Sequence, residues 1–325
     1  MNLAFAGLRH GHIFALYEMA KAHPEFTVAG AWEADAESRA VAEAKGLSCC
    51  YGTYEALLAD PAVDAVAFGG CFTDRGPLAI KALQAGKHVI ADKPLCTNLA
   101  ELDEIERLAK EKGLFVSCMF TLRFEKRMAA VKALVDSGEL GEINNAYFGG
   151  QHPLQYGRRP MWYFEPGKHG GTINDIAIHG IDMLHYAFGL DVSRVNAARC
   201  WNKYAVEQPH FKDCGQFMAT AHNGAGILGD VSYAIPDGIE FGLPHYWRFC
   251  VWGTGGAMEF AEGGSDPVWY KKGDPAPRPL PEVETPVNYL TDVLKMMRGE
   301  DCVLSMQEVF DSTRATLTIQ AAADR

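Results

Sequence analysis

The stretch "FAGLRHGHIF", residues 5–14, decides how the rest of the chain is read. It completes the apolar run "NLAFAG" at Gly7 and opens a segment, about residues 13–22, whose apolar positions recur at helical spacing. A buried strand, a tight turn and a helix in that order aim backbone N–H groups and the positive end of a helix dipole at an anion. The dinucleotide-binding version of this turn uses three glycines. One makes the turn, one lets backbone approach a pyrophosphate, and one permits tight helix–strand packing. Gly7 takes the first place, Arg9 and His12 stand in the other two, and Gly11 lies nearby. So degenerate a pattern decides nothing alone.

A repeated strand–helix rhythm follows it. "TVAGAW", "VDAVAFGG" and "KHVIAD" read as short apolar strands, with "LFVSCMF" expected as a sixth strand of the set. Between them "DAESRAVAEAKG", "YEALLAD", "RGPLAIKALQAG" and "LAELDEIERLAKEKG" read as helices. Strands that are apolar without alternation are buried on both faces, which means a parallel sheet covered by helices. Right-handed crossovers then make it doubly wound. Beyond residue 122 the rhythm changes. "KRMAAVKALVDSGELGEI" and about 175–188 read as helices; "FMATAHN", "GILGDVSYAI", "YWRFCVWG" and "AMEFAE" read as antiparallel strands of one open sheet. "DPAPRPLPEVETP" is a surface connection, and helices near 286–298 and 305–323 close the chain. The expected fold is α/β: a Rossmann domain over 1–121 and an α/β domain with an open, mainly antiparallel sheet over 122–325. The last helix is able to pack back on the first domain.

Composition bounds the function. A chain of 325 residues has the length of two domains, and 48% hydrophobic with 22% charged residues predicts a core rather than disorder. The net charge of −11 opposes phosphate backbones, so no nucleic-acid partner is expected. No apolar run reaches the roughly 18 residues of a membrane span, and the chain opens on a strand rather than a signal peptide. Nine scattered cysteines, an odd number with no CxxC pair, predict reduced thiols, a cytoplasmic protein and no metal site.

Glu33 strengthens the nucleotide reading. It stands at the end of the second strand, where an acidic residue accepts hydrogen bonds from ribose hydroxyls. A carboxylate there repels a 2′-phosphate and favours NAD over NADP; Arg9 and Arg39 pull the other way.

"YEALLADPAVDAVAFGG", "ALQAGKHVIADKPL", "LRFEKRMAAVKALVDSGELGEI" and "GGTINDIAIHGIDMLHYAFG" together resemble the Gfo/Idh/MocA family of nicotinamide-dependent sugar and polyol oxidoreductases. "AGKHVIADKPL" resembles its AGKHV-x-x-EKP-L signature with Asp92 for glutamate. "DIAIHGID" resembles D-x-G-x-H-x-x-D with Ala177 for glycine. The resemblance spans nearly the whole chain. It implies a nucleotide held by Gly7, Leu8, Arg9, His10, Glu33, Gly70, Phe72, Asp92, Lys93 and Arg123, and a C-terminal sheet that pairs with its copy in homodimers or homotetramers. The chain departs from the pattern at Arg9, at His12, at Gly69-Gly70-Cys71-Phe72 in place of A-T-P-N, and at Arg75 in place of a histidine.

Oxidising a secondary alcohol removes a hydride from carbon and a proton from oxygen. The alkoxide is too unfavourable to form freely at neutral pH, so the chemistry needs a base and a donor or cation at the oxygen. Lys93 follows a strand at its C-terminal edge, where open α/β sheets hold ligands. The resemblance implies that it bonds the reacting hydroxyl. Asp175 and His179 are four apart, so a helix puts them on one face with Asp182 extending the row. His179 has the side chain whose ordinary pKa suits acid/base work. Arg123 is read either as a site residue or as half of a structural salt bridge. "GGQHPLQYGRRPMWYFEPGKHGG" offers His152, Arg158, Trp162, Tyr163 and His169, with Asp175, as substrate contacts, and Arg159 as an alternative to Arg158; "HYWRF" near residue 247 is a second source. Three functions compete: an NAD-dependent dehydrogenase of sugars, sugar acids, polyols or glycosides; a glycosidase that oxidises its sugar transiently; and a cofactor-sensing regulator without catalysis.

Overall fold

The computed structural model describes residues 1–236, 238–239, 241, 246–262, 264, 266–285 and 287–325. Two compact units form. The first comprises Met1–Met119, Gly167–Gly170 and Tyr289–Asp311; the second comprises Phe120–Pro166, Gly171–Asn288 and Ser312–Arg325.

In the first unit β1 (Asn2–Ala6), β2 (Thr27–Trp32), β3 (Ala65–Phe68), β4 (His88–Ala91) and β5 (Val116–Cys118) make one parallel sheet in the order β2-β1-β3-β4-β5. The sheet has five strands, not six: each apolar run of this region supplies one and no further run exists to supply another. Every residue of β3 is fully buried, as expected of a central strand roofed on both faces. Helices α1 (His12–Ala22), α2 (Ala36–Ala44), α3 (Tyr54–Ala59), α4 (Phe72–Gln84) and α5 (Leu99–Lys112) connect the strands. Asp35, Thr53 and Asn98 cap α2, α3 and α5 with their side chains, each accepting from a backbone N–H three residues on.

The strand order reverses direction between β1 and β3, and ligands of such sheets bind at the carboxyl ends of the strands at that switch point. Two glycine contacts shape it. Gly7 has φ +71°, and a Cβ on it would stand 2.9 Å from the backbone of Gly70. At Gly69 a Cβ would stand 2.3 Å from Cβ of Ile13. The close approach of α1 to the sheet therefore depends on a glycine of the β3 turn. His12 does not wedge the helix away from the strand: its side chain is 54% exposed and lies over Asp92.

In the second unit α6 (Lys126–Asp136) precedes β6 (Ile143–Pro153). After α7 (Ile178–Phe188) come β7 (Val192–Trp201), β8 (Cys214–Ala221), β9 (Gly226–Ile235), β10 (Arg248–Gly253), β11 (Gly256–Ala261), β12 (Val268–Lys271) and β13 (Arg278–Pro279). They form an eight-stranded sheet in the order β13-β12-β11-β10-β6-β9-β8-β7. The neighbours are antiparallel except β6 and β9, which pair in parallel. β9 alternates: Ile227, Val231, Tyr233 and Ile235 are buried, whereas Leu228 is 53% exposed. α8 (Tyr289–Met297) and α9 (Met306–Ala323) follow the proline-rich connection; Pro286, at the expected start of α8, lies outside the described residues.

The expected helix over 175–188 is two elements. A π-helical turn, Ile173–Ala177, holds Asp175, and the α-helix begins only at Ile178. The wider turn breaks the four-residue periodicity on which the shared face of Asp175, His179 and Asp182 was expected, and such turns occur frequently at functional sites. Among the described residues no helix is long and apolar enough to cross a membrane.

Candidate functional site

The first unit brings Gly7, Leu8, Arg9, His10, Glu33, Gly70, Phe72, Asp92 and Lys93 to the carboxyl ends of β1, β2, β3 and β4. The turn is tied by backbone bonds: Gly7 N–H donates to Trp32 O (3.1 Å), Gly69 N–H to Gly7 O (3.0 Å) and His10 N–H to Gly69 O (2.7 Å). Glu33 is 4% exposed. One carboxylate oxygen accepts the Leu8 N–H, and the other accepts the Asp35 N–H at 2.8 Å. The expected ribose carboxylate is thus also the fastener of the turn. Beside it a cavity of about 540 Å³ is lined by Gly7, Arg9, Trp32, Glu33, Asp35 and Gly70, among others. Arg9 reaches across it to Asp35 (3.1 Å). Arg39 donates to the Glu33 carbonyl (2.7 Å) and not to its carboxylate, so it leaves the charge of Glu33 in place.

The end of β4 carries a buried charge cluster. Asp92 is fully buried, and Arg75 Nη2 donates to its Oδ2 at 3.0 Å; His10 Nδ1 bonds the same oxygen. Burial pushes the Asp92 carboxyl up, but His10, Arg75 and His12 around it outweigh that and hold it well below its ordinary value. Burial drives His10 the other way, down to about 4, so its ring is neutral at pH 7. Arg75 further donates to the carbonyls of Gly70 (3.1 Å), Asp92 (2.8 Å) and Pro94 (3.2 Å), fixing the turn that carries Lys93. Lys93 is 2% exposed, its Nζ 5.8 Å from the centre of the Phe72 ring. The same ring meets His10 at 5.3 Å and His169 at 5.4 Å. His169, expected as a substrate contact, therefore stands in the first unit near Lys93.

The second unit assembles a polar and aromatic cluster on β6, β9, the π-helical turn and α7. Asp175, 2% exposed, accepts a hydrogen bond from Tyr233 Oη. His179 packs edge-on to Trp247 at 5.1 Å. His152 contacts Tyr233 (6.1 Å), Tyr246 (5.4 Å) and Trp247 (5.2 Å). Tyr163 packs on Trp162 at 4.1 Å, tilted by 33°, and carries the Arg159 guanidinium 4.6 Å from its centre. Arg159 also lies 4.9 Å from the centre of Tyr233 and is anchored by the carbonyls of Pro153 and Leu154. Of the two adjacent arginines, Arg158 is exposed, and Arg159 is the one packed among the aromatics. From "HYWRF", Tyr246 and Trp247 join this group, and His245 lies outside the described residues. Arg123 makes a bidentate ion pair with Asp182 (2.9 and 2.7 Å) and covers the Tyr186 ring. This is the salt-bridge alternative for Arg123, and it takes Asp182 out of the row with Asp175.

Tyr233 is not legible from sequence as a member of this group, whereas Trp247 lies in the stretch "HYWRF". Tyr233 reads as one more inward position of an alternating strand. Trp247 has φ +47°, rare for an aromatic residue and a sign of an over-determined position; only the folded backbone displays it.

A doubly wound parallel sheet with a glycine turn after its first strand, and a second unit in which Asp175 and His179 lie among aromatic rings, define the architecture. Family models specify it further. Residues 1–120 match the GFO/IDH/MocA oxidoreductase family, NAD-binding Rossmann fold, and residues 128–259 match the GFO/IDH/MocA C-terminal domain. The chain belongs to this family. It is similar to scyllo-inositol 2-dehydrogenase (NAD(+)) of Bacillus subtilis, at 30% identity over 54% of this chain and 49% of that protein. It is also similar to myo-inositol 2-dehydrogenase of Thermotoga maritima, at 30% identity over 49% and 46%. The chain spans about half the length of these curated relatives. A solved protein of Erwinia carotovora atroseptica SCRI1043 has the same fold, with TM-score 0.87 and 27% identity over 99% of this chain and 98% of the other.

Proposed function

We propose that the chain is an NAD-dependent oxidoreductase moving a hydride between nicotinamide and a secondary hydroxyl of a sugar, sugar acid, polyol or glycoside. The observation that carries the reading is Lys93. It is a lysine almost wholly removed from water, held at the carboxyl end of β4 by the Arg75 clamp on the carbonyls of Asp92 and Pro94 on either side of it. A cation so preorganised stabilises charge developing on a substrate oxygen far better than one in water. The residues around Gly7 fit the nucleotide: a turn only glycine can make, acidic groups for ribose hydroxyls, and the cation of Arg9 for a pyrophosphate. The bound nucleotide supplies the hydride acceptor. Everything else is this chain's own work. His179 takes and returns the hydroxyl proton. Asp175, kept an acceptor by the Tyr233 hydroxyl, orients a substrate hydroxyl. The faces of Trp247 and Tyr163 suit sugar C–H surfaces, and Arg159 and His152 add polar contacts.

Support for a homodimer or homotetramer through the C-terminal sheet comes from the apolar side chains it exposes, Met218 at 45% and Leu228 at 53%. Support for a cytoplasmic location comes from the nine cysteines, none of which is in a disulfide.

The test is a panel of inositols, sugars, uronates and aryl glycosides with NAD+ and with NADP+. NADH absorbance and product release are followed together. Stoichiometric NADH with one substrate class is expected. Turnover of a glycoside without net NADH makes the chain a redox glycosidase, and tight nucleotide binding with no turnover of any member makes it a sensor.

A further inference from the structure

His10, His12 and Asp92 converge more closely than a glycine turn requires. We propose that they form a binding site for one divalent transition-metal ion of the zinc class. Their ligand atoms all lie within 4.8 Å of one another. Asp92 is fully buried, yet among the described residues its Oδ1 has no hydrogen-bond partner. An unpaired buried carboxylate oxygen is costly, and it needs an explanation.

One imidazole nitrogen stands close to that oxygen. His12 Nδ1 stands 3.4 Å away without making a hydrogen bond. Two ligands about 2.0 Å from a tetrahedral zinc ion are separated by about 3.3 Å. The pair thus has the spacing of a coordination edge. The other oxygen, Oδ2, is anchored by Arg75 at 3.0 Å, the kind of outer contact that orients a ligating carboxylate. His10 also bonds Oδ2 and has to swing off it to ligate. Two imidazoles and one carboxylate favour zinc, cobalt or nickel over magnesium or calcium. Three protein ligands leave a fourth position open, and the 54% exposure of the His12 side chain gives an ion a way in. The guanidinium of Arg75 opposes a dication, so binding is weaker than in a closed four-ligand site. An ion here ties the turn after β1 to the end of β4. That gives a reason for His12 where the fingerprint has glycine.

The full chain is stripped with chelator and titrated with Co2+, following visible absorption, and with Zn2+ by calorimetry. His12→Ala and Asp92→Asn are compared, with circular dichroism as the check on folding; His12 is exposed enough that its removal leaves the core untouched. One ion per chain is expected, with the intense visible bands of tetrahedral cobalt, no thiolate charge-transfer band, and binding at least about tenfold weaker in each variant. Absence of binding in the parent, binding equal in His12→Ala, or a thiolate spectrum overturns the site. No outcome depends on turnover, so the proposal stands or falls separately from the dehydrogenase reading.

Discussion

Replacing Glu33 tests whether one carboxylate both fastens the turn and selects the nucleotide. In the parent its two oxygens accept the Leu8 and Asp35 N–H groups, and the side chain is 4% exposed. Each bond to a charged acceptor contributes about 1.5–3 kcal/mol net. Glu33→Gln keeps one acceptor and turns an NH2 donor toward the second N–H, so one bond is lost and one buried donor is left unpaired. The expected loss of stability is about 2–4 kcal/mol, a large share of a typical folding free energy. It is read as a lower urea midpoint with unchanged slope. Because the Leu8 N–H belongs to the turn itself, affinity for NAD+ and NADP+ falls together, by at least about tenfold, or about 1.4 kcal/mol. On top of that common loss the NAD+/NADP+ ratio narrows, since a 2′-phosphate no longer meets a carboxylate. An unfolding midpoint within about 0.5 kcal/mol of the parent, with the ratio alone changed, refutes the fastening role. A parent that binds NADP+ more tightly than NAD+ refutes the selective one.

Further outcomes follow from the same contacts. Lys93→Met keeps nucleotide binding, measured by fluorescence titration, and abolishes hydride transfer; near-normal turnover removes Lys93 from the mechanism. Tyr233→Phe keeps the ring that packs on Arg159 and His152 but removes the donor to buried Asp175, costing about 1–3 kcal/mol in kcat/KM. An unchanged kcat/KM and pH profile dismisses the contact. Burial, with the Glu125 charge adding to it, raises Glu262 from 4.5 to about 7 against the pull of Arg127. The folded state then favours its protonated form. That stabilisation is full below about pH 4.5 and is lost as pH rises through 7, a change of at most roughly 3 kcal/mol. Glu262→Gln flattens this part of the stability–pH curve; two parallel curves between pH 4.5 and 8 contradict the assignment.

Much of the first unit is legible along the chain because its signals are local. A strand buried on both faces must be a continuous apolar run, and "VAF" or "HVIA" has no other reading in a chain of this composition. That Glu33 and Lys93 follow strands and His179 lies on a helix is legible for a related reason: each falls within a dozen residues of the element that carries it. The second unit resists the same treatment. β6 was not seen because its run "INNAYFGGQHP" mixes glycine, asparagine and histidine, and its parallel partner β9 lies about eighty residues on. The face shared by Asp175 and His179 was inferred from an α-helical period that a π-helical turn interrupts. Nothing in the residue types dictates that interruption.

By itself, then, the sequence determined the fold class, the turn at Gly7, the acidic residue after β2 and the lysine after β4, because each depends on hydrophobic periodicity or backbone sterics over a few residues. Only the tertiary structure decided what those groups touch. The partners of Asp92 come from the turn after β1, the start of α1 and the interior of α4, His10 being 82 positions away in sequence. The donor to Asp175 comes from 58 positions away, and the close approach of α1 falls to Gly69. Such contacts are set by how buried elements stack, and no local pattern records them.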